Sequence, residues 1–270
     1  THSLNDQLPN KWLAPGGLPG TPVLWNPPFR WPFANDLNLP HVYNIAWAMF
    51  QPFQRGADDS LLQYLVGAAL YTWIEAFIGF VLGSLLGLGL ATAFVHSRLA
   101  ERALVPYVVA SQTVPILAIS PIVVVAIKAD WLSVAIVSAY LTFFPVTIAS
   151  LRGLRAADTR AFELFRSYAA SRREILWRLR LPTSVPYLFS ALRVAAAASV
   201  IGAIIGELPA GVASGLGSAI VNYNQYYITA PERLWATIVM CTFVGLFFVG
   251  IVRIAEDRLT RGRYRPTAHA

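Results

Sequence analysis

AFELFRSYAASRREILWRLRLPTSVPYLFSALRV, residues 161–194, decides the fold. It opens as a charged stretch with arginines at 166, 172, 173, 178 and 180, and it closes as an apolar run beginning at Tyr187. Predominantly apolar runs flank the charged part on both sides, at 131–150 and 187–206. Each has about the 20 residues that a helix needs to cross a hydrocarbon core of ~30 Å. A basic segment between two such runs is a loop between membrane spans. Working outward, three more runs are found at 62–95, 104–128 and 234–254. The first is too long for a level crossing and is expected to tilt or to project beyond the bilayer. The second is interrupted by Pro106, Pro115 and Pro121. Such breaks are tolerated at membrane depth only where protein or a cavity receives the freed backbone groups. The expectation is an all-α membrane protein, a polytopic helical bundle with five visible spans.

Composition agrees. The 270 residues are 56% hydrophobic and 13% charged, and mean hydropathy is +0.53, which excludes an ordinary soluble domain. The apolar runs are continuous rather than alternating, which argues against a barrel. The net charge is +7, but it is not spread evenly. Residues 95–105, 151–185 and 253–270 hold 15 of the 21 basic residues and 6 of the 14 acids. Arginine concentrated in short loops at one face is the positive-inside pattern, and the aromatic residues among the arginines form no recognised RNA module. Nucleic acid is therefore not expected as a partner. Alternating the spans from a cytoplasmic tail puts loop 151–185 inside and the amino-terminal segment outside. Cys241 lies in an apolar run and reads as a small buried hydrophobe.

Three regions follow: an extracytoplasmic Pro/Trp-rich segment at 1–60, a transmembrane domain at 61–254, and a basic cytoplasmic tail at 255–270. LPHVYNIAWAMFQPF, from Leu39, suits an interfacial helix, with Tyr43, Trp47 and Phe50 at headgroup level. The chain opens on Thr1 with no signal-peptide pattern, so either upstream sequence is missing or the form has five spans. Gly79, Gly83, Gly87 and Ala91 recur every four residues, as do Ala191, Ala195, Ser199 and Ala203. Small residues at that spacing let backbones approach closely, either inside one subunit, the reading we favour, or along a dimer seam.

The charged loop is not a plain connector. Glu163, Arg166, Arg172, Arg173 and Glu174 alternate with Phe162, Leu164, Phe165, Ile175, Leu176 and Trp177. Apolar residues near helical spacing can dock in a partner's groove while the charges set orientation. Pro182 and Pro186 are expected to stop one helix and start the next span.

The loop resembles the signature loop of ABC-importer permeases. That pattern has a glutamate, two alanines, three residues, a glycine, nine residues, then Ile-x-Leu-Pro. Glu163 falls on the glutamate, Leu179 on the isoleucine, and Leu181-Pro182 on the Leu-Pro. Leu164 and Phe165 stand where the alanines would be, and Ala169 replaces the glycine. The similarity extends over about residues 39–253 through SQTVPILAISP from Ser111, FFPVTIASLRGL from Phe143, SYAAS from Ser167, Gly206-Glu207 and GLG at 215–217, in the family's order. It is nearest the branch serving nitrate, taurine and alkanesulfonates, with thiamine-precursor and flavin importers.

The resemblance implies a permease fold of the type I ABC-importer kind, coupled to a separate ATPase. Phe162, Glu163, Phe165, Arg166, Tyr168, Ala169, Ser171, Leu181 and Pro182 would form the coupling site, with a short helix at 162–168 seated in the ATPase. If the family's glycine takes a positive φ, Ala169 either bears strain or the turn differs. Implied partners are a second permease subunit, identical or paralogous, two cytoplasmic ATPases, a periplasmic or lipid-anchored solute-binding protein, and membrane lipid. The implied location is the bacterial inner membrane, and the implied cargo is a sulfonate, a nitrate-like anion, or a vitamin-, pyrimidine- or flavin-type organic solute.

The chain lacks G-x-x-x-x-G-K-[ST], and neither Lys11 nor Lys128 follows a glycine. No catalytic role of its own is expected, so ATP and Mg are expected on the partner and no cofactor on this chain. The four histidines are scattered, and no metal site is expected. Candidates for the translocation path are Gln112 and Thr113, beside the broken span, with Glu75 and Glu207 near span ends. Each has a plainer reading: polar packing for Gln112 and Thr113, a helix-end position for Glu75, a solvated helix end for Glu207. Arg193 either snorkels or pairs with a carboxylate. The alternative function is an ion-gradient-driven secondary transporter, which calls for inverted repeats and intramembrane carboxylates or histidines. An intramembrane enzyme would need clustered catalytic residues, and a scaffold would leave the ordered motifs unexplained.

Overall fold

The computed structural model describes residues 40, 42–54, 56, 58–128, 130–210 and 214–260. The expectations for 1–39 and for the end of the tail, 261–270, fall outside the described residues. The helices run in the order α1 (Val42–Met49), α2 (Leu61–His96), α3 (Arg98–Ser111), α4 (Ile116–Ile127), α5 (Asp130–Arg155), α6 (Thr159–Ser167), α7 (Arg172–Ile175), a π-helical turn (Leu176–Arg180), α8 (Leu181–Ala210), α9 (Leu216–Gln225) and α10 (Pro231–Thr260). Among the described residues the sole β pairing is an isolated bridge between Pro52 and Ser60. Among the described residues four helical stretches are long and apolar enough to cross a membrane, and five spans result if the bent pair α3–α4 counts as one. The expected all-α bundle with five spans stands.

The chain forms two compact units, residues 1–67 with 219–240 and residues 68–218 with 241–270. In the first, the loop after α1 folds back so that Leu61 N–H donates to the Gln51 carbonyl at 2.8 Å. Phe53 stacks on Tyr64 with ring centroids 5.0 Å apart, and Tyr64 meets the edge of Tyr223 at 6.4 Å. Arg233 ties the same loop down by donating to the carbonyls of Phe53 and Pro52.

In the second unit α5 lies between the small-residue faces of α2 and α8. A methyl on Gly83 would sit 2.6 Å from the Ala139 carbonyl, and one on Gly87 2.7 Å from that of Phe143. From the other side, a methyl on Gly202 would sit 2.7 Å from the Ser138 Cα. Ala191, Ala195, Ser199 and Ala203 are all buried, and Ser138 Oγ donates to the Ser199 carbonyl at 2.9 Å. Both small-residue stripes are thus used inside the chain, where close approach maximises dispersion in a medium with little hydrophobic drive between helices.

The broken span bends by 98° between α3 and α4. Pro115 caps the start of α4, where its missing N–H costs nothing. The Ser111 carbonyl released at the break accepts from the Tyr140 hydroxyl on α5. Protein thus receives a freed backbone group, as the depth of the break demands.

Two boundaries differ from expectation. The span expected at 131–150 continues as helix to Arg155, because backbone hydrogen bonding outlasts the apolar run. More important, Pro182 and Pro186 do not stop a helix: helical structure is continuous from Arg172 to Ala210. Proline removes an N–H and clashes with the carbonyl four residues back. Here the π-helical turn just upstream widens the backbone, and Leu181 N–H reaches the Leu176 carbonyl, five residues back.

Candidate functional site

The loop helix α6 starts at Asp158, whose side chain accepts from the Arg160 N–H at 3.0 Å. None of its residues is buried. Its end is a two-bond left-handed cap. Ala170 N–H donates to the Phe165 carbonyl at 3.0 Å and Ala169 N–H to that of Arg166 at 2.9 Å. Ala169 itself has φ 52°, the left-handed region that glycine enters freely and alanine does not. The turn is retained and the strain is borne. Ser171 then opens α7 with a capping box: Glu174 N–H donates to Ser171 Oγ at 3.3 Å, and Ser171 N–H donates to Glu174 Oε2 at 2.8 Å. Two caps back to back fix the angle between α6 and the helix that follows.

Phe162 joins α6 to that helix. The Arg180 guanidinium lies 5.3 Å from the Phe162 ring centroid and that of Arg166 5.8 Å. Arg180 sits on the π-helical turn, so the contact crosses from loop helix to span. Leu176 and Leu181 pack against a core of Ala91, Phe94, Val108, Leu151 and Leu154, drawn from α2, α3 and α5. α6 is thus joined through Phe162 and Arg180 to a helix that packs against α2, α3 and α5.

The residues singled out in sequence fall as follows. Glu163, Arg166, Tyr168, Ala169, Ser171 and Pro182 are exposed; Phe162, Phe165 and Leu181 are half-buried. Leu164 and Tyr168, exposed at 54% and 78%, extend the apolar surface of α6. Gln112 and Thr113 are exposed in the bend between α3 and α4, with Thr113 Oγ1 donating to the Ala110 carbonyl. Arg193 pairs with Glu256 of α10.

Glu75 and Glu207 are brought together. Both are buried, at 1% and 0% exposure, and lie beside each other in the bundle. Glu207 also accepts from the Thr72 hydroxyl at 2.6 Å and from the Gly217 N–H at 2.5 Å, and Leu216 N–H donates to Thr72 Oγ1 at 2.9 Å. A side chain at Gly215 would overlap the Glu207 carboxyl group, which accounts for the first glycine of GLG. Glu207 is thus not a solvated helix end; it ties α8 to α2 and to the first turn of α9. Sequence reading treated Glu207 and GLG separately, though their shared place after the fourth span was a usable signal. Among the described residues no cluster of three or more His, Cys, Asp or Glu could hold a metal.

Comparison with known proteins places these features in context. Residues 83–261 match the profile described as "Binding-protein-dependent transport system inner membrane component". The formylaminopyrimidine transport permease ThiX of Halalkalibacterium halodurans is 37% identical over 140 residues, covering 52% of this chain and 56% of ThiX. The aliphatic sulfonates permease SsuC of Bacillus subtilis, a putative assignment in its own description, is 29% identical over 189 residues, 70% of this chain and 67% of SsuC. The chain thus spans little more than half of ThiX. A solved amino acid ABC transporter structure superposes with a TM-score of 0.59 at 15% identity, covering 73% of this chain and 94% of that one, which establishes a common fold.

Proposed function

Because the chain belongs to the binding-protein-dependent transport system inner membrane component family, we propose that it is the permease subunit of an ATP-driven importer for a small solute. The observation that carries the reading is α6, an exposed helix of mixed apolar and charged residues, rigidly capped and joined through Phe162 and Arg180 to a spanning helix. Such a helix suits a groove in a water-soluble partner. In this reading the partner is an ATPase that holds ATP and Mg. Phe162, Glu163, Phe165, Arg166, Tyr168, Ala169 and Ser171 form the docking face and its turn, and Leu181 and Pro182 pass movement to α8.

Two permease subunits, identical or paralogous, enclose the path, each receiving one ATPase. A periplasmic or lipid-anchored binding protein delivers solute to the opposite face. Residues 1–60 lie outside, 61–254 form the permease domain, and 255–270 lie in the cytoplasm with loop 151–185. Gln112 and Thr113, in the exposed bend, contribute to the path, and the Glu75–Glu207 knot supports its outer end. ATP-driven closure draws the two α6 helices together, and the packed core converts that movement into an outward-facing arrangement. The cargo class, by likeness to ThiX and SsuC, is a pyrimidine-type organic solute or a sulfonate, and the motif resemblance adds a nitrate-like anion or another vitamin- or flavin-type solute.

The test is purification of the chain from its native membrane in a detergent that preserves such assemblies, followed by mass spectrometry. Recovery of a Walker-motif ATPase with a solute-binding protein is expected. Recovery of neither would overturn the reading and favour an ion-gradient-driven transporter.

A further inference from the structure

The same end of the bundle carries a second cleft, which shares Arg180 with the Phe162 contact. It is a cavity of about 560 Å³ lined by Val95, Arg98, Glu101, Arg102, Val105, Pro106, Arg155 and Arg180. Four guanidiniums thus surround one carboxylate. Glu101 is taken by Arg155, and Arg180 lies over the Phe162 ring. Arg98 and Arg102 have no ion-pair partner among the described residues. They stand four residues apart in the first turns of α3, hence on one face of the helix. Two guanidiniums so placed present planar donor forks suited to phosphate oxygens, and the cleft lacks the anion that would balance them.

The surroundings indicate where that phosphate comes from. α3 is part of the bent pair that passes as a membrane span. It carries Leu99 and Tyr107 at 80% and 74% exposure, with Leu104 also exposed. A water-soluble ligand gains nothing from such a flank, whereas a lipid places its headgroup in the cleft and its acyl chain along these side chains. Basic pockets between spanning helices at the cytoplasmic boundary bind anionic headgroups by this combination.

We propose that the Arg98–Arg102 cleft is a binding site for the phosphate of an anionic membrane phospholipid. This rests on the membrane orientation given above, but not on the identity of the cargo or the ATPase.

The test uses the full chain with its co-purifying partners, delipidated in neutral detergent and titrated with phosphatidylglycerol, phosphatidylcholine or inorganic phosphate. Thermal unfolding and native mass spectrometry are the readouts. Phosphatidylglycerol is expected to raise the unfolding midpoint and to remain bound in the spectrum, whereas phosphatidylcholine and inorganic phosphate do neither. The double variant R98Q/R102Q is expected to bind phosphatidylglycerol about tenfold more weakly or worse, and R102K to lie between. An undiminished response in R98Q/R102Q would overturn the proposal. So would a shift reproduced by inorganic phosphate, which would make the site one for a soluble anion. Loss of the ATPase from R98Q/R102Q with the lipid response intact would assign the cleft to a protein contact instead. If that variant does not fold, wild-type chain that takes up no phosphatidylglycerol on titration, with no rise in its unfolding midpoint, still overturns it. Loss of the lipid response with the ATPase retained separates this site from the coupling function.

Discussion

Ala169 holds the coupling turn in a conformation that its side chain opposes, with φ 52° between two well-formed caps. Ala169→Gly is expected to stabilise the chain by about 1 kcal/mol, seen as a higher unfolding midpoint, with the turn unchanged. A lower midpoint would mean that the alanine methyl makes a compensating contact. Glu207 is the counterpart in the span. Glu207→Ala strands the Gly217 N–H in a buried site, while the Thr72 hydroxyl keeps the Ala68 carbonyl as acceptor, and is expected to cost about 1–3 kcal/mol. Glu207→Gln keeps an acceptor and should cost clearly less in the same unfolding assay. If the two variants unfold alike, the knot contributes little. The sequence raised the conformational question at residue 169, since a glycine-to-alanine change is local. It was silent on the Glu207 knot, because Thr72 and Glu207 are 135 residues apart and only the folded bundle joins them.

Among the elements, α5 is held where glycines bring α2 and α8 against it. Gly83→Val inserts three carbons where a single methyl would already meet the Ala139 carbonyl at 2.6 Å. The expected cost is about 1–3 kcal/mol, or failure to fold, measured by yield and unfolding midpoint. The π-helical turn is the other element that bears on the proposed coupling, because together with Pro182 it leads from α7 into α8. Pro182→Ala permits a regular α-helix, so helix stability should rise while α6 turns away from its docking direction. Reduced transport per ATP hydrolysed, with assembly intact, is the expected outcome; unchanged coupling would show that the π-helical turn is incidental. Spans were legible in the sequence from length and hydropathy. The continuity from Arg172 to Ala210 was not, because proline ordinarily ends a helix and a π-helical turn leaves no simple pattern.

For the whole molecule, the account is one of force passed from a soluble helix to a membrane bundle. The bundle and its family were readable from the spacing of apolar runs, the arginine map and the order of motifs in residues 39–253. The side-chain path from α6 to the spans was not readable: it depends on the Phe162–Arg180 contact and on the core around Phe94 and Leu154. The central claim, that α6 is the docking element, is tested most directly by measuring ATPase association with the purified chain and with Glu163→Arg or Phe165→Asp. Neither residue is buried, so both variants should fold and insert as the wild type does. The account predicts that wild type retains a Walker-motif ATPase and that each variant loses it or retains it with ATP hydrolysis uncoupled from transport. Normal assembly and coupled transport in both variants would contradict it.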